Sequence, residues 1–246
     1  MTRNILLTIA YDGSAYSGWQ LQPRVPTVQG AVEKVLEQLL QTPCRIRGAG
    51  RTDAGVHAEG QLANFKTESK LSCLRLRKGL NALLPATVAV SDVREVELDF
   101  DSRRDNRGKH YRYTLYREHD RDTRAALRTW HVYGHLDVDA MARAGHALVG
   151  RHDFAAFRAA DCERDNTVRT LYRISIDERP PLLHIDVEGT AFLKNMVRII
   201  AGTLVDIGRG RFAPELVQEL LASGDRRDGG VTAPAVGLSL QRVFLR

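Results

Sequence analysis

The chain has 246 residues, 43% hydrophobic and 27% charged, enough to bury a core and to form one large domain or two small ones. Three cysteines, Cys44, Cys73 and Cys162, form no CxxC pair and are odd in number, which argues against a zinc site and against a disulfide framework. The formal charge is +6 and only six of the 36 basic residues are lysine; arginine suits phosphates and bases, but a coding bias raises it too, so charge admits an RNA partner without requiring one.

Residues Ile5 to Tyr11 read as a strand, and the stretch Ile5 to Ala10 is too short for a signal-peptide core. Pro26-Thr27 then opens a helix, with Thr27 as N-cap and Val28, Ala31, Val32, Val35, Leu36 and Leu39 along one face. Arg45 to Arg47 leads into a glycine-rich loop, Gln61 to Lys66 alternates as a returning strand, Leu74 to Leu84 is helical, and Val88 to Val96 is again strand-like.

A second half begins near Gly108, where Tyr111, Tyr113 and Leu115 alternate as in a strand. A helix from Asp137 to Val149 follows, then a polar stretch from Arg158 to Asn166 and strands at Leu171 to Asp177 and Leu182 to Val187. The next helix is predicted over Phe192 to Ile207, its buried stripe formed by Phe192, Met196, Ile199, Ile200 and Leu204. Leu216 to Leu221 adds a short helix and Leu238 to Phe244 a last strand. Arg198 interrupts the apolar run near Ile199, so no membrane span is expected and the protein reads as cytoplasmic. The pattern divides into residues 1–107 and 108–246, two α/β halves, each a few strands covered by helices, suggesting a pseudo-twofold pair with joined sheets. Neither an internal repeat nor a low-complexity segment is visible.

The run Gly48-Ala49-Gly50-Arg51-Thr52-Asp53-Ala54-Gly55-Val56-His57-Ala58 carries the chemistry. Its glycines let a large substrate approach the backbone, and they set one carboxylate, Asp53, among small residues. Arg51 lies two positions away, on the same face of an extended chain, and a nearby cation favours an ionised carboxylate. An isolated Asp-Ala-Gly is most often an ordinary turn; the context of eleven residues points to a reactive group. Tyr111 sits among Lys109, His110 and Arg112, and aromatics interleaved with cations form a stacking platform worth ~1–3 kcal/mol per base. Tyr113 reads as packing. Arg198 lies within an apolar stripe, where a charge requires an anion. Asp12, after a strand in Tyr-Asp-Gly, reads as a turn residue. His131 and His135 have helical metal-pair spacing, but Gly134 and their β-type neighbours oppose a helix, so no metal is expected. Glycines 48 to 55 match neither a P-loop nor a dinucleotide fingerprint, so no nucleotide cofactor is expected.

GAGRTDAGVHA resembles the signature of the TruA family of tRNA pseudouridine synthases. Further matches follow in order: Tyr11-Asp12-Gly13 with Gly18-Trp19-Gln20, Asn81 to Pro85, Lys109 to Tyr113, Asp153-Phe154 with Phe157-Arg158, and Phe192 to Arg198. The resemblance implies an α+β fold of two pseudo-twofold-related ferredoxin-like halves, their largely antiparallel sheets joined around a central RNA-binding cleft. It implies isomerisation of uridine to pseudouridine at positions 38–40 of the tRNA anticodon stem-loop, without a cofactor, by a homodimer in which one tRNA contacts both subunits. On the same ground Asp53 is catalytic, either adding to C1′ or removing the 2′ hydrogen, and Tyr111 stacks on the target base. Arg198 is placed at the catalytic carboxylate, and Arg51 is a partner of Asp53 or a phosphate clamp. The run Phe100 to Arg107 departs from the family pattern in its charge, which leaves its contacts to RNA or a second subunit open. A ribosyl hydrolase using the same carboxylate, and an RNA-binding protein without catalysis, are the alternative readings.

Overall fold

In the computed structural model, which describes residues 1–245, the chain divides into two units. The first comprises Met1–Arg107 and the chain from Leu240 onward, the second Gly108–Ser239. The last strand, assigned above to the second half, thus belongs largely to the first unit.

In the first unit β1 (Arg3–Tyr11) has neighbours on both sides, which explains its near-continuous burial. It pairs antiparallel with β3 (His57–Thr67), setting Ile5 opposite Phe65 and Leu7 opposite Ala63, and with β4 (Val88–Val96). Two-residue β2 (Arg47–Gly48) pairs with β3, and β10 (Leu238–Leu245) is the further neighbour of β3. Thr27 caps α1 (Val28–Leu40) by accepting from the Gly30 amide at 3.2 Å, and Ser72 caps α2 (Cys73–Leu83) by accepting from the Arg75 amide. Val28, Val32, Leu36, Leu76 and Leu80 are fully buried with Ile5, Leu7 and Ile9. The charged segment that follows β4 is docked on the sheet by two asparagines. Asn4 Nδ2 donates to the Glu97 and Phe100 carbonyls, and Asn64 accepts from the Ser102 amide at 2.9 Å. Two of its carboxylates are ion-paired, Asp101 with Arg47 and Asp105 with Arg104.

In the second unit the strand order is β5 (Asn106–Tyr116), β9 (Leu182–Gly189), β8 (Val168–Arg179), β7 (Gly150–Asp153), all antiparallel, while β6 (Trp130–His131) runs parallel to β5. The result is an α+β chain with largely antiparallel sheets. Tyr111, Tyr113 and Leu115 share a face with Val187, Ile185 and Leu183, and all six but Tyr111 are wholly buried. On that face α3 (Val138–Ala147) meets Ile174 of β8 through Gly145. The helix α4 (Met196–Gly208) is buried at every position but Arg198, and α5 (Leu216–Ser223) completes the helical layer. The opposite face of the sheet carries polar pairs, His110 and Arg112 with Asp186 and Thr114 with His184.

Several boundaries differ from the expected ones, among them β8, which begins at Val168 rather than Leu171. The strand β3 begins at His57 rather than Gln61, and β5 at Asn106. Helix α4 begins at Met196, not Phe192, because Asn195 takes a left-handed φ of 60° that breaks the helical path and the Met196 amide closes a turn on Leu193 O at 3.1 Å. Because β6 occupies Trp130–His131, His131 and His135 do not share a helix.

Candidate active site

Asp53 occupies the loop between β2 and β3, half-buried, in a turn closed by the Val56 amide on its own carbonyl at 3.2 Å. A second loop, residues 12–20, grips it from the side. Trp19 N donates to Thr52 O at 3.1 Å and Gly55 N to Tyr16 O at 3.3 Å. That loop is held in turn by α1, whose first amides, Val28 and Gln29, donate to Gly18 O and Trp19 O. The approach is close enough to require glycine. Gly18 has φ +92°, and a Cβ there would stand 2.6 Å from Thr52 O; at Gly13 one would stand 2.0 Å from Val56 O.

The residues flanking Asp53 are fixed from below. Thr52 is buried and its hydroxyl bonds to Tyr11 Oη at 2.8 Å, while burial raises the phenol's pKa far enough to keep it neutral. Gln61 Nε2 donates to Gly50 O at 2.9 Å. His57, 1% exposed, accepts from the Gly13 amide at Nδ1, with Asp12 Oδ1 3.3 Å from the same nitrogen. Asp12 also caps the Ser14 amide at 2.9 Å, as a turn aspartate does. Among the described residues of the first unit no cation forms an ion pair with Asp53. Arg51 is exposed, and its Nε donates instead to Gln20 Oε1 at 3.2 Å.

Tyr111 and Arg198 belong to the second unit. Tyr111 is 7% exposed and meets Phe192 edge-on, with ring centroids 5.1 Å apart. Arg198 lies in the first turn of α4; its Nε donates to Ala233 O at 2.7 Å and its Nη1 to Asn195 Oδ1 at 2.8 Å. Both acceptors are neutral, and among the described residues of this unit no carboxylate pairs with it. Tyr113, by contrast, is fully buried with its hydroxyl on Pro234 O at 2.8 Å, a packing residue. Thus the first unit brings together Asp53 and Arg51, and the second holds Tyr111 and Arg198. Sequence reasoning missed His57, Gln20 and Gln29 as supports of the loop; Gln29, on the face of α1 that also buries Val28 and Val32, was the available signal.

Residues 7–105 and 144–244 match the family described as tRNA pseudouridine synthase. The chain belongs to the tRNA pseudouridine synthase family. The matched residues include Asp53 and Arg198 and leave out Tyr111. Three relatives, each named tRNA pseudouridine synthase A, align with 98% of this chain. The protein of Geotalea daltonii is 48% identical over 99% of its own length, that of Geobacter sp. strain M21 49% over 98%, and that of Myxococcus xanthus 49% over 91%. A tRNA pseudouridine synthase is an isomerase: it rejoins uracil to ribose through carbon in place of nitrogen. No helix among the described residues is long and apolar enough to cross a membrane.

Proposed function

We propose that this chain isomerises uridine to pseudouridine at positions 38–40 of the tRNA anticodon stem-loop, with Asp53 as the catalytic carboxylate. The observation that carries the assignment of Asp53 is its setting: a loop clamped by backbone hydrogen bonds, with the carboxylate half-buried and unpaired by any cation of its own unit among the described residues. Such a group is oriented without being neutralised, which a nucleophile or a base requires.

The reaction conserves every atom of the uridine except one exchanged hydrogen. The C1′–N1 bond breaks, the uracil turns, and C5 bonds to C1′; C5 then loses its proton and N1 acquires one. Asp53 supplies the carboxylate near the ribose, by addition to C1′ or by removal of the 2′ hydrogen. Tyr111 stacks on the base, Arg198 acts at the carboxylate, and Arg51 faces the RNA. The target nucleotide must leave its stack, at a cost of a few kcal/mol that stacking and phosphate contacts offset. We assign the protein, as a homodimer, to the cytoplasm; sedimentation of the purified protein at twice the chain mass is the expected result.

With tritium at C5 of the target uridines, label is expected in water in step with pseudouridine formation, and no free uracil. Free labelled uracil would establish a ribosyl hydrolase. Intact tRNA binding with no release of label would leave an RNA-binding protein without catalysis.

A further inference from the structure

A line of side-chain hydrogen bonds runs from the Asp53 loop into α1. Arg51 Nε donates to Gln20 Oε1 at 3.2 Å, Gln20 Nε2 to Gln29 Oε1 at 2.8 Å, and Gln29 Nε2 to Glu33 Oε1 at 2.8 Å. Glu33 Oε2 then takes Arg45 Nη1 at 2.9 Å. Backbone groups lock the middle of the line: the Leu21 amide also donates to Gln29 Oε1, Gln29 Nε2 also reaches Ile46 O, and the Ile46 amide donates to Glu33 Oε1.

The two ends set the direction of everything between them. A guanidinium only donates and a carboxylate only accepts, so each amide has one orientation that avoids placing donor against donor. Gln20 must turn its oxygen toward Arg51 because Gln29 must turn its nitrogen toward Glu33. Gln29 is 3% exposed, so a flipped amide there would leave buried groups unsatisfied. Arg51 is thereby held by Nε alone, while its two terminal nitrogens make no bond among the described residues and its side chain is exposed. A long side chain held in advance loses less freedom when a ligand arrives.

We propose that Gln20, backed by Gln29 and Glu33, is a positioning residue that aims the free edge of the Arg51 guanidinium at the substrate RNA beside Asp53. This rests on the function proposed above. Gln20 touches no reacting atom and acts through Arg51 alone.

The test is a double-mutant cycle on the full-length protein, read by single-turnover conversion of a tRNA transcript and by its affinity. Gln20→Leu is expected to slow conversion roughly tenfold, the scale of one hydrogen bond to a charged group, with affinity changed less than about threefold. Gln20→Glu keeps an oxygen toward Arg51 but sets a second acceptor against Gln29 Oε1 and pairs the guanidinium with a charge, so it is expected to stay slow; wild-type conversion by Gln20→Glu would overturn the part given to Gln29. Arg51→Ala combined with Gln20→Leu is expected to be no slower than Arg51→Ala alone, since a group acting only through Arg51 has nothing left to contribute. A merely structural Gln20 would lower the rate independently, so losses that multiply overturn the proposal. So does wild-type conversion by Gln20→Leu or by Arg51→Ala. Failure of the underlying reading shows separately: an active Asp53→Asn enzyme removes the site itself and the role of Arg51 with it.

Discussion

Asp186 is buried and Asp53 half-buried, and their surroundings put them to different uses. Asp186, on β9, accepts from His110 Nε2 at 2.6 Å and from Arg112 at 2.9 and 3.0 Å, both from the adjacent strand. Burial would push its carboxyl up, but these two donors outweigh burial and bring the pKa from 3.8 to about 2. Asp53 has no such neighbours among the described residues of its unit. The cations associated with the proposed chemistry are held on neutral acceptors, Arg51 on an amide oxygen and Arg198 on a carbonyl and an amide oxygen. A charge matched across neighbouring strands stabilises the sheet and has little field left over. One oriented by neutral groups keeps its field for a ligand.

The most severe break in this contrast is Asp53→Asn, which keeps the shape and removes the charge. Turnover is expected to fall about a thousandfold, the scale of a lost catalytic carboxylate, while tRNA affinity and the unfolding midpoint stay close to wild type. A variant that lost stability instead would make Asp53 another Asp186. Arg198→Met is expected next, with a roughly hundredfold slower single turnover and near-normal affinity. Reduced affinity with normal chemistry would make Arg198 a phosphate clamp.

Asp186→Asn should do the reverse, costing stability with little effect on single-turnover rate. A carboxyl that titrates near 2 when folded and near 3.8 when unfolded stabilises the fold above about pH 4, and that contribution disappears as pH falls toward 2. At neutral pH it is worth about 2 kcal/mol, so urea unfolding should show that loss at pH 7 and a smaller one near pH 2. An equal loss at both pH values would show that the charge is not what matters. The smallest effect is expected from Tyr111→Phe, which keeps the ring packed on Phe192 and most of the rate. Tyr111→Leu should cost roughly tenfold through lost stacking, and equal inactivity of the two would give the hydroxyl a chemical part.

Elements with strong periodicity and a capping residue were legible in the sequence. Thr27 announces α1 because its side chain accepts from Gly30, and Val88 to Val96 forms β4 as its alternation implies. Phe192 misled, since its spacing to Met196 and Ile199 fits a helix, whereas the residue lies in the loop before α4 and packs on Tyr111. No periodicity can reveal β2 or β6, each two residues long. Within the site, Asp53 and Arg51 stood out by their place in one contiguous motif. Gln29 and Glu33 did not, because their role depends on which amide meets which across a loop, and spacing along a helix is silent on that.

The strand β10 carries a consequence for how the chain reaches its fold. Most of it lies beyond the second unit in sequence, yet it is the strand next to β3 in the first, and the contact is tight enough that a Cβ on Gly60 would stand 2.6 Å from Gln241 O. During synthesis, residues 1–107 leave the ribosome with part of the β3 edge, just past the Asp53 loop, open to pairing with other chains. That edge closes only when the final strand has emerged. Such a long-range closure slows folding, so a nascent or truncated chain is prone to self-association through the strand that follows its own Asp53 loop.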